Sequence, residues 1–342
     1  MKERIKKILI GISTAILIII MILYVDLQEI FYSLNKISIY GIILFALIYT
    51  LSFIFRTFKL KQIFKGLNLH TSYLPLFGSY GIGFGINELS PGKFGDLARI
   101  EFIRQKEKYV SLTKSTCGVS IERFLDLLVL FLFIYFATFY IYLNNIKGTT
   151  DLNLQLYLGI GAFILLSALI ILTFLFFKTD WILKIVGKIS KRLKNLMEGF
   201  LIKFFEGLND FRKNKKNIIG VFALSIPAWL LDTLTLVLLF YLLDYEIDVF
   251  IIILAQIIVF FTKTFPITPG GWVISENVGA LLIFLFYPSI PFNKLLTIFI
   301  LDHAIRSAYI LVYGTSSALG FNFKFKKLDY NNLDTKKKKN IV

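Results

Sequence analysis

The sequence predicts an all-α polytopic membrane protein of about six full spans with two broken, re-entrant segments, laid out as an inverted-topology repeat. Three observations predict it. Hydrophobic residues make up 56% of the 342-residue chain and charged ones 18%, with a mean hydropathy of +0.72. A soluble domain carries roughly 45–50% apolar and about 25% charged residues. Apolar runs of 18 to 27 residues recur along the chain, and about 20 suffice to cross the hydrocarbon at ~1.5 Å per residue. Lysine and arginine collect in alternate connections between those runs, the asymmetry that sets orientation.

The first run, 8–25, follows the basic segment 1–7 and has the look of a signal peptide. Tyr24, Val25 and Asp26 stand where a small-residue cleavage site belongs, so a retained anchor helix is expected. Further spans are expected over 38–55, 117–143, 156–177, 218–243 and 295–320. With the N-terminus inside, the external connections 26–37, 144–155, 244–248 and 288–294 hold only Lys36, Lys147 and Lys294, whereas 178–217 alone carries eleven Lys or Arg. Both termini should then be cytoplasmic and the protein multi-pass in the plasma membrane. One membrane domain over 1–325 is expected, with repeats at 8–143 and 156–320, a cytoplasmic amphipathic helix at 180–212 and a basic tail at 326–342. The amphipathic helix either lies on the anionic leaflet or caps the bundle.

Several function classes are excluded. The net charge of +16 sits in short runs between apolar segments rather than on a folded polar face, which argues against nucleic acid. One cysteine, Cys117, and two distant histidines, His70 and His303, supply neither a disulfide framework nor a metal site. No phosphate-binding loop, zinc-protease or nucleophile-elbow motif occurs. No cofactor and no catalytic residue is expected, and ATP-driven transport would need a partner.

Two apolar segments do not read as plain helices. Residues 73–90 contain Gly78, Gly81, Gly83 and Gly85 and have basic runs on both sides, so they should enter and leave on the cytoplasmic face. Residues 249–287 are interrupted at Pro266, Pro269, Gly270 and Gly271. A hairpin dipping in from outside is preferred there, and two full crossings, giving eight spans, are the alternative. Irregular backbone at membrane depth needs a cavity or surrounding protein to satisfy its amides.

The two halves share a pattern. Ser90-Pro91-Gly92-Lys93-Phe94 matches Thr268-Pro269-Gly270-Gly271-Trp272, an acid follows each (Asp96, Glu276), and the next span carries Glu122, Arg123 and Asp126 in one half and Asp302 and Arg306 in the other. Ser90 and Thr268 are expected to cap helices that start at the prolines, leaving glycine amides at a positive helix end suited to phosphate or carboxylate. Matched breaks in two halves point to a transporter's midplane site. Spacing allows Arg123 to meet Asp126 and Asp302 to meet Arg306. The two arginines either face an anionic headgroup or form structural ion pairs, and outward snorkelling is a third role for Glu122. Lys263 either joins the same pocket or reaches the surface. Arg56 is expected to be an interfacial anchor and His303 a helix-packing hydrogen-bond partner. Asn87, Asp96 and Glu276 would orient the loops.

Three ordered motifs, Asn87-Glu-Leu-Ser-Pro-Gly-Lys-Phe-Gly-Asp-Leu-Ala-Arg99, Ile121-Glu-Arg-Phe-Leu-Asp126 and Pro266-Ile-Thr-Pro-Gly-Gly-Trp-Val-Ile-Ser-Glu276, resemble the membrane region of lysylphosphatidylglycerol synthases, also called the flippase-like domain family. The resemblance covers nearly the whole chain and draws Arg99 into the candidate site. It implies movement of a lipid with an anionic or phosphate-linked headgroup between leaflets. The soluble domain that aminoacylates lipid in bifunctional relatives is not expected here. A related membrane domain is fused to glycosyltransferases acting on polyprenyl-type lipids, which implies a sugar phosphate as another headgroup. The alternative is a membrane-embedded transferase or an accessory scaffold for lipid-linked sugar or aminoacyl-lipid synthesis. Expected partners are membrane lipids and a lipid-synthesis enzyme. Trp272-Val273-Ile274 departs from the family, which more often has a further glycine there.

Overall fold

The computed structural model describes residues 27–90, 94–146, 191–263 and 268–324, with isolated helical positions between 159 and 170. The expected span 8–25, nearly all of 156–177, the first part of the amphipathic segment, the basic tail, and Pro91, Gly92 and Pro266 lie outside the described residues. What is described is helical: α1 (Leu27–Lys36), α2 (Ile39–Gly66), α3 (Tyr73–Leu89), α4 (Phe94–Lys106), α5 (Leu112–Leu143), α6 (Lys191–Lys213), α7 (Lys215–Leu242), α8 (Val249–Thr262), a single 3-10 turn at Pro269–Gly271, α9 (Ile274–Phe286) and α10 (Phe292–Gly320).

Five stretches are long and apolar enough to cross a bilayer: Ile39–Gly66, Leu112–Leu143, Lys215–Leu242, Pro269–Phe286 and Phe292–Gly320. Side-chain caps start several helices. Ser38 Oγ accepts from Gly41 N at 3.1 Å, Ser111 Oγ from Lys114 N at 3.2 Å and Asn214 Oδ1 from Asn217 N at 3.2 Å. The outer surface is apolar, with Leu47 and Leu51 on α2, Phe136 and Phe139 on α5 and Leu234 on α7 exposed, while Arg, Lys, Asp and Glu are buried inside. That inversion of the soluble pattern is what lipid as solvent demands.

The helix α2 runs eleven residues beyond the expected end at Phe55. Charged Arg56 and Lys59 would terminate a span facing lipid, but acids from α7 and α5 neutralise them inside the bundle. The glycines of 73–90 do not break the chain either. They let α3 press against its neighbours as a continuous helix: Gly85 lies against Gly314 of α10, and Gly83 against Gly95 of α4. Of the two roles open to the amphipathic segment, α6 takes the second, burying Phe205, Leu208 and Phe211 over the ends of α2 and α5.

Helix directions follow from the contacts. Lys36, just before α2, pairs with Asp244 just after α7, and Gln62 near the end of α2 meets Asn217 near the start of α7. The two helices are therefore antiparallel. Likewise α3 lies antiparallel to α10, from Gly78 against Phe321 to Glu88 against Ser307. The pair α5 and α8 repeats this, from Phe131 against Phe261 to Tyr140 against Phe250. Exchanging α2, α3, α4, α5 for α7, α8, α9, α10 maps the packing onto itself with direction reversed, which is an inverted repeat.

Each half contains a hairpin whose ends return to the same face. Ser72 N donates to Glu107 Oε1 at 2.8 Å across the mouth of the α3–α4 hairpin, and Asp248 N donates to the Tyr287 hydroxyl at 3.0 Å across that of α8–α9. The four hairpin helices hold 17, 13, 14 and 13 residues. At ~1.5 Å per residue they reach about 20–26 Å, short of the ~30 Å hydrocarbon core. The apolar stretch Pro269–Phe286 is no continuous helix, because Gly270 (φ 62°) and Val273 (φ 76°) interrupt it. Two opposed re-entrant hairpins, rather than two extra crossings, fit these lengths.

Candidate functional site

The turns of both hairpins line one cavity of about 370 Å³. From the first half come Asn87, Glu88, Ser90 and Asp96, and from the second Lys263, Thr268, Gly270 and Gly271. The surrounding helices add Tyr49, Arg56, Phe84, Arg123, Asp126, Trp229, Asp232, His303 and Arg306. The two hairpins also touch directly. Glu88 Oε1 accepts from Trp272 Nε1 at 3.2 Å and from Ser307 Oγ.

An ordered charge network surrounds this cavity. Arg56, 1% exposed, donates from Nη2 to Asp232 Oδ2 at 2.5 Å, and its guanidinium stacks 4.2 Å from the Trp229 ring. Arg306 contacts Asp232 as well, bonds Asp302 through Nε at 2.8 and 2.9 Å, and reaches Thr235 Oγ1. Lys59 Nζ lies 2.5 Å from Asp126 Oδ1 and 3.6 Å from Glu122. Glu122 is held by Arg99 Nη2 at 2.8 Å and by the Tyr80 hydroxyl at 2.6 Å. Arg123 pairs with Asp96 at 2.5 Å, and His303 Nδ1 contacts Glu276. Charges buried this deeply persist only when paired, since each carries a desolvation penalty of several kcal/mol.

The network obeys the repeat residue by residue. Arg56 and Asp232 each stand eighteen residues past the caps Ser38 and Asn214, so the pair that joins the halves sits where the antiparallel helices cross. Glu122 and Asp302 are both eleven past the caps Ser111 and Pro291, Arg123 and His303 twelve, Asp126 and Arg306 fifteen. Lys59 and Thr235 are both twenty-one past theirs. Thus Lys59 on Asp126 in one half corresponds to Thr235 on Arg306 in the other, and Arg123 on Asp96 corresponds to His303 on Glu276.

Several expectations need correction. Thr268 does not cap the 3-10 turn through its side chain; its hydroxyl donates to Trp272 O at 2.9 Å. The helix start expected after Ser90 falls outside the described residues; Ser90 itself ends α3, its hydroxyl donating to Ile86 O at 2.6 Å, and Asn87 Oδ1 accepts from Gly95 N at 2.8 Å in the first turn of α4. Arg123 meets Asp96 rather than Asp126, because Asp126 turns to Lys59 and to Trp229 Nε1. Asp302 and Arg306 do pair. Glu122 does not snorkel; it is fully buried. Arg56 is no interfacial anchor. Lys263 lines the cavity, the first of the two roles open to it. Arg99, Glu122, Glu276 and Asp302 are not among the cavity-lining residues and sit behind the groups that are. Pro269 forms the 3-10 turn.

Sequence reasoning misses Tyr49, Lys59, Glu88, Trp229 and Asp232. Asp232 carries a usable signal, as an acid in the middle of an apolar run, and Glu88 stands inside the first motif. The charge balance also differs from a simple anion trap. Among the described residues the lining holds Arg56, Arg123, Lys263 and Arg306 against Glu88, Asp96, Asp126 and Asp232, four of each sign. Donor availability separates the arginines. All three nitrogens of Arg306 are engaged, whereas Nε and Nη1 of Arg56 find no hydrogen-bond partner among the described residues. Among the described residues no group of three His, Cys, Asp or Glu has the arrangement to hold a metal ion.

Val273 adopts φ 76° and ψ −49°, a positive-φ conformation that is strained for a β-branched residue and of which glycine is the natural occupant.

Residues 7–314 match the profile of the lysylphosphatidylglycerol synthase TM region. The chain belongs to that family. Among similar proteins, UPF0104 membrane protein PH1989 of Pyrococcus horikoshii is 24% identical over 294 residues, covering 81% of this chain and 86% of that one. UPF0104 membrane protein MJ1595 of Methanocaldococcus jannaschii is 27% identical over 326 residues, covering 91% and 93%. Glycosyltransferase AglD of Haloferax volcanii is 22% identical over 334 residues, covering 90% of this chain but 53% of its own length. No solved structure matches the chain. Within the lysylphosphatidylglycerol synthase TM-region family, the paired hairpins and the charge network are this chain's version of the membrane domain.

Proposed function

We propose that the protein moves a lipid with an anionic or phosphate-linked headgroup across the bilayer, the headgroup passing through the cavity between the two hairpins. The coarser statement, a multi-pass membrane protein of lipid or glycolipid metabolism, follows from the family and from the relative named a glycosyltransferase. The observation that carries the finer reading is that turns entering from opposite faces line one charged cavity, within the ~300–1,000 Å³ typical of small-molecule sites. Alternating access to a midplane site by two inverted repeats is the physics such a layout supports.

Arg56 and Lys263 take the counter-charge role in place of Arg123 and Arg306, since Arg56 lines the cavity and its buried Nε and Nη1 have no hydrogen-bond partner among the described residues. Gly270 and Gly271, at positive φ, allow close approach of the headgroup to the backbone. Asn87, Ser90, Asp96 and Thr268 shape the turns, and Arg99, Glu122, Asp126, Glu276 and Asp302 hold the cations in place. The asymmetry of Lys and Arg supports plasma-membrane placement with both termini cytoplasmic.

The test uses purified protein in liposomes, with headgroup-labelled phospholipids and polyprenyl phosphates whose leaflet exposure is followed by a membrane-impermeant quencher. Wild type is expected to accelerate exchange of at least one lipid. Arg56→Gln should slow it roughly thirtyfold, the worth of about 2 kcal/mol for a charge-assisted hydrogen bond. No acceleration across the whole panel removes the reading. A transferase or scaffold role in lipid-linked sugar or aminoacyl-lipid synthesis is the second reading, favoured by the similarity to half of a glycosyltransferase. Mass spectrometry of the same vesicles, supplied with a sugar-nucleotide donor, would reveal it as a covalent change in the lipid.

A further inference from the structure

We propose that His303, held between Glu88 and Glu276, binds a proton whose release and uptake drive lipid movement, so that the protein is a proton-coupled transporter. This rests on the lipid-moving reading and adds its energy source. The ring is 2% exposed, contacts Glu276 Oε1 through Nδ1, and places Nε2 3.3 Å from Glu88 Oε1, at ion-pair distance but out of line for a hydrogen bond. Glu88 already accepts from Trp272 and Ser307, and Glu276 from Ser275 Oγ at 2.9 Å. Both Oε1 atoms thus face the imidazole as acceptors. A neutral imidazole donates from one nitrogen only and would turn a lone pair towards the other carboxylate, so only the imidazolium suits both contacts.

The repeat sharpens the point. The counterpart of His303 is Arg123, whose counterpart acid Asp96 it pairs with at 2.5 Å. Arg123 is permanently charged, whereas histidine is the side chain whose ordinary titration falls between pH 5 and 8. One half thus holds an arginine–carboxylate pair where the other holds a histidine between two carboxyl groups, one from each hairpin. Glu88 belongs to the first hairpin and Glu276 to the second. When the imidazolium gives its proton to water in the cavity, two ionised carboxylates remain facing a neutral ring. The joint between the hairpin turns is then weakened, the Trp272–Glu88 bond remaining.

Other charges facing this trio are Lys263 at the end of α8, and Asp302 and Arg306 on α10 itself. The α7 contribution, Asp232, and that of α2, Tyr49, reach it only through Arg306. Arg306 and Lys263 set the background field, while His303 lies between an acid of each hairpin beside the direct Trp272–Glu88 bond.

Two measurements test this. Trp272 stacks on the His303 ring at 4.0 Å and 9°, and a protonated imidazole quenches indole fluorescence. The difference in fluorescence between wild type and Trp272→Phe in detergent should change with pH, and the signal should be flat in His303→Arg, which copies the fixed charge of Arg123. A flat wild-type signal overturns the proton site, whatever the lipid assay gives. In liposomes with an imposed pH gradient, one proton per lipid biases the leaflet ratio by roughly tenfold per pH unit. His303→Arg, checked as folded by size-exclusion chromatography, keeps the charge at the joint fixed and should move lipid no faster than protein-free liposomes, with or without the gradient. A titrating Trp272 signal with gradient-blind lipid movement in wild type overturns the coupling and leaves the lipid-moving reading standing. Absence of movement for every lipid instead removes that reading, and the coupling with it.

Discussion

Replacing Asp232 with alanine is expected to lower stability by about 3–5 kcal/mol, read as a large fall in the thermal midpoint of the detergent-solubilised protein. Asp232 is 3% exposed and is the shared partner of Arg56 and Arg306. Its loss leaves Arg56 with no ion-pair partner, because Nε and Nη1 already have none. Arg306 retains Asp302 and Thr235, so the damage centres on Arg56. A discriminating variant follows from the same geometry. Exchanging the pair as Arg56→Asp with Asp232→Arg keeps the two-residue charge, but it sets a new guanidinium against Arg306. The exchange should therefore fail to restore stability, whereas an isolated salt bridge would recover. Recovery to within about 1 kcal/mol of wild type would mean that the three residues do not act as one cluster.

Gly95→Ala is expected to be the most damaging single methyl in the protein. A Cβ there would stand 1.8 Å from the backbone oxygen of Gly83 and 2.7 Å from Asn87 Oδ1. Both neighbours are short of room to move, since one is main chain inside α3 and the other caps the first turn of α4. The α3 and α4 arms of the first hairpin would have to separate by more than an ångström, opening the wall of the cavity and loosening the Arg99 side chain that packs on Gly83. Overpacking ordinarily costs about 1–3 kcal/mol, and a clash with rigid backbone belongs at or above the top of that range. Gly320→Ala is the control, because nothing lies within 4 Å of its Cβ position. It should be neutral or slightly stabilising, as expected for the same change in an exposed helix end. Equal thermal midpoints for the two variants would show that the close approach of the two arms is not needed for folding.

Much of the architecture is legible without coordinates because lipid is an exacting solvent. The residues that can face hydrocarbon are few, so apolar length reports spans and the distribution of Lys and Arg reports connections. The matched Pro-Gly interruptions locate both hairpin turns, and i to i+4 spacing finds Asp302 with Arg306. The method fails where a charge inside a span is satisfied from another helix. Arg56 and Lys59 look like the end of a span because their partners, Asp232 and Asp126, lie 176 and 67 residues away along the chain. Arg123 with Asp126 fails for a related reason. Local spacing makes the pair feasible, yet Lys59 and Trp229 compete for Asp126 and Asp96 for Arg123.

By itself, then, the sequence determined that this chain is a helical membrane protein in two similar halves, with interrupted helices at corresponding places. Those features depend on hydrophobicity, helix-breaking residues and spacing, which are properties of short stretches of chain. Only the tertiary structure decided that the halves run antiparallel, that their turns line one cavity, and which acid neutralises which base. It also decided that Arg56 on the cavity wall keeps two nitrogens without a hydrogen-bond partner among the described residues and that one histidine lies between acids of the two hairpins. Such choices are settled by competition among partners hundreds of residues apart, where a buried charge goes to whichever opposite charge the packing brings within about 3 Å.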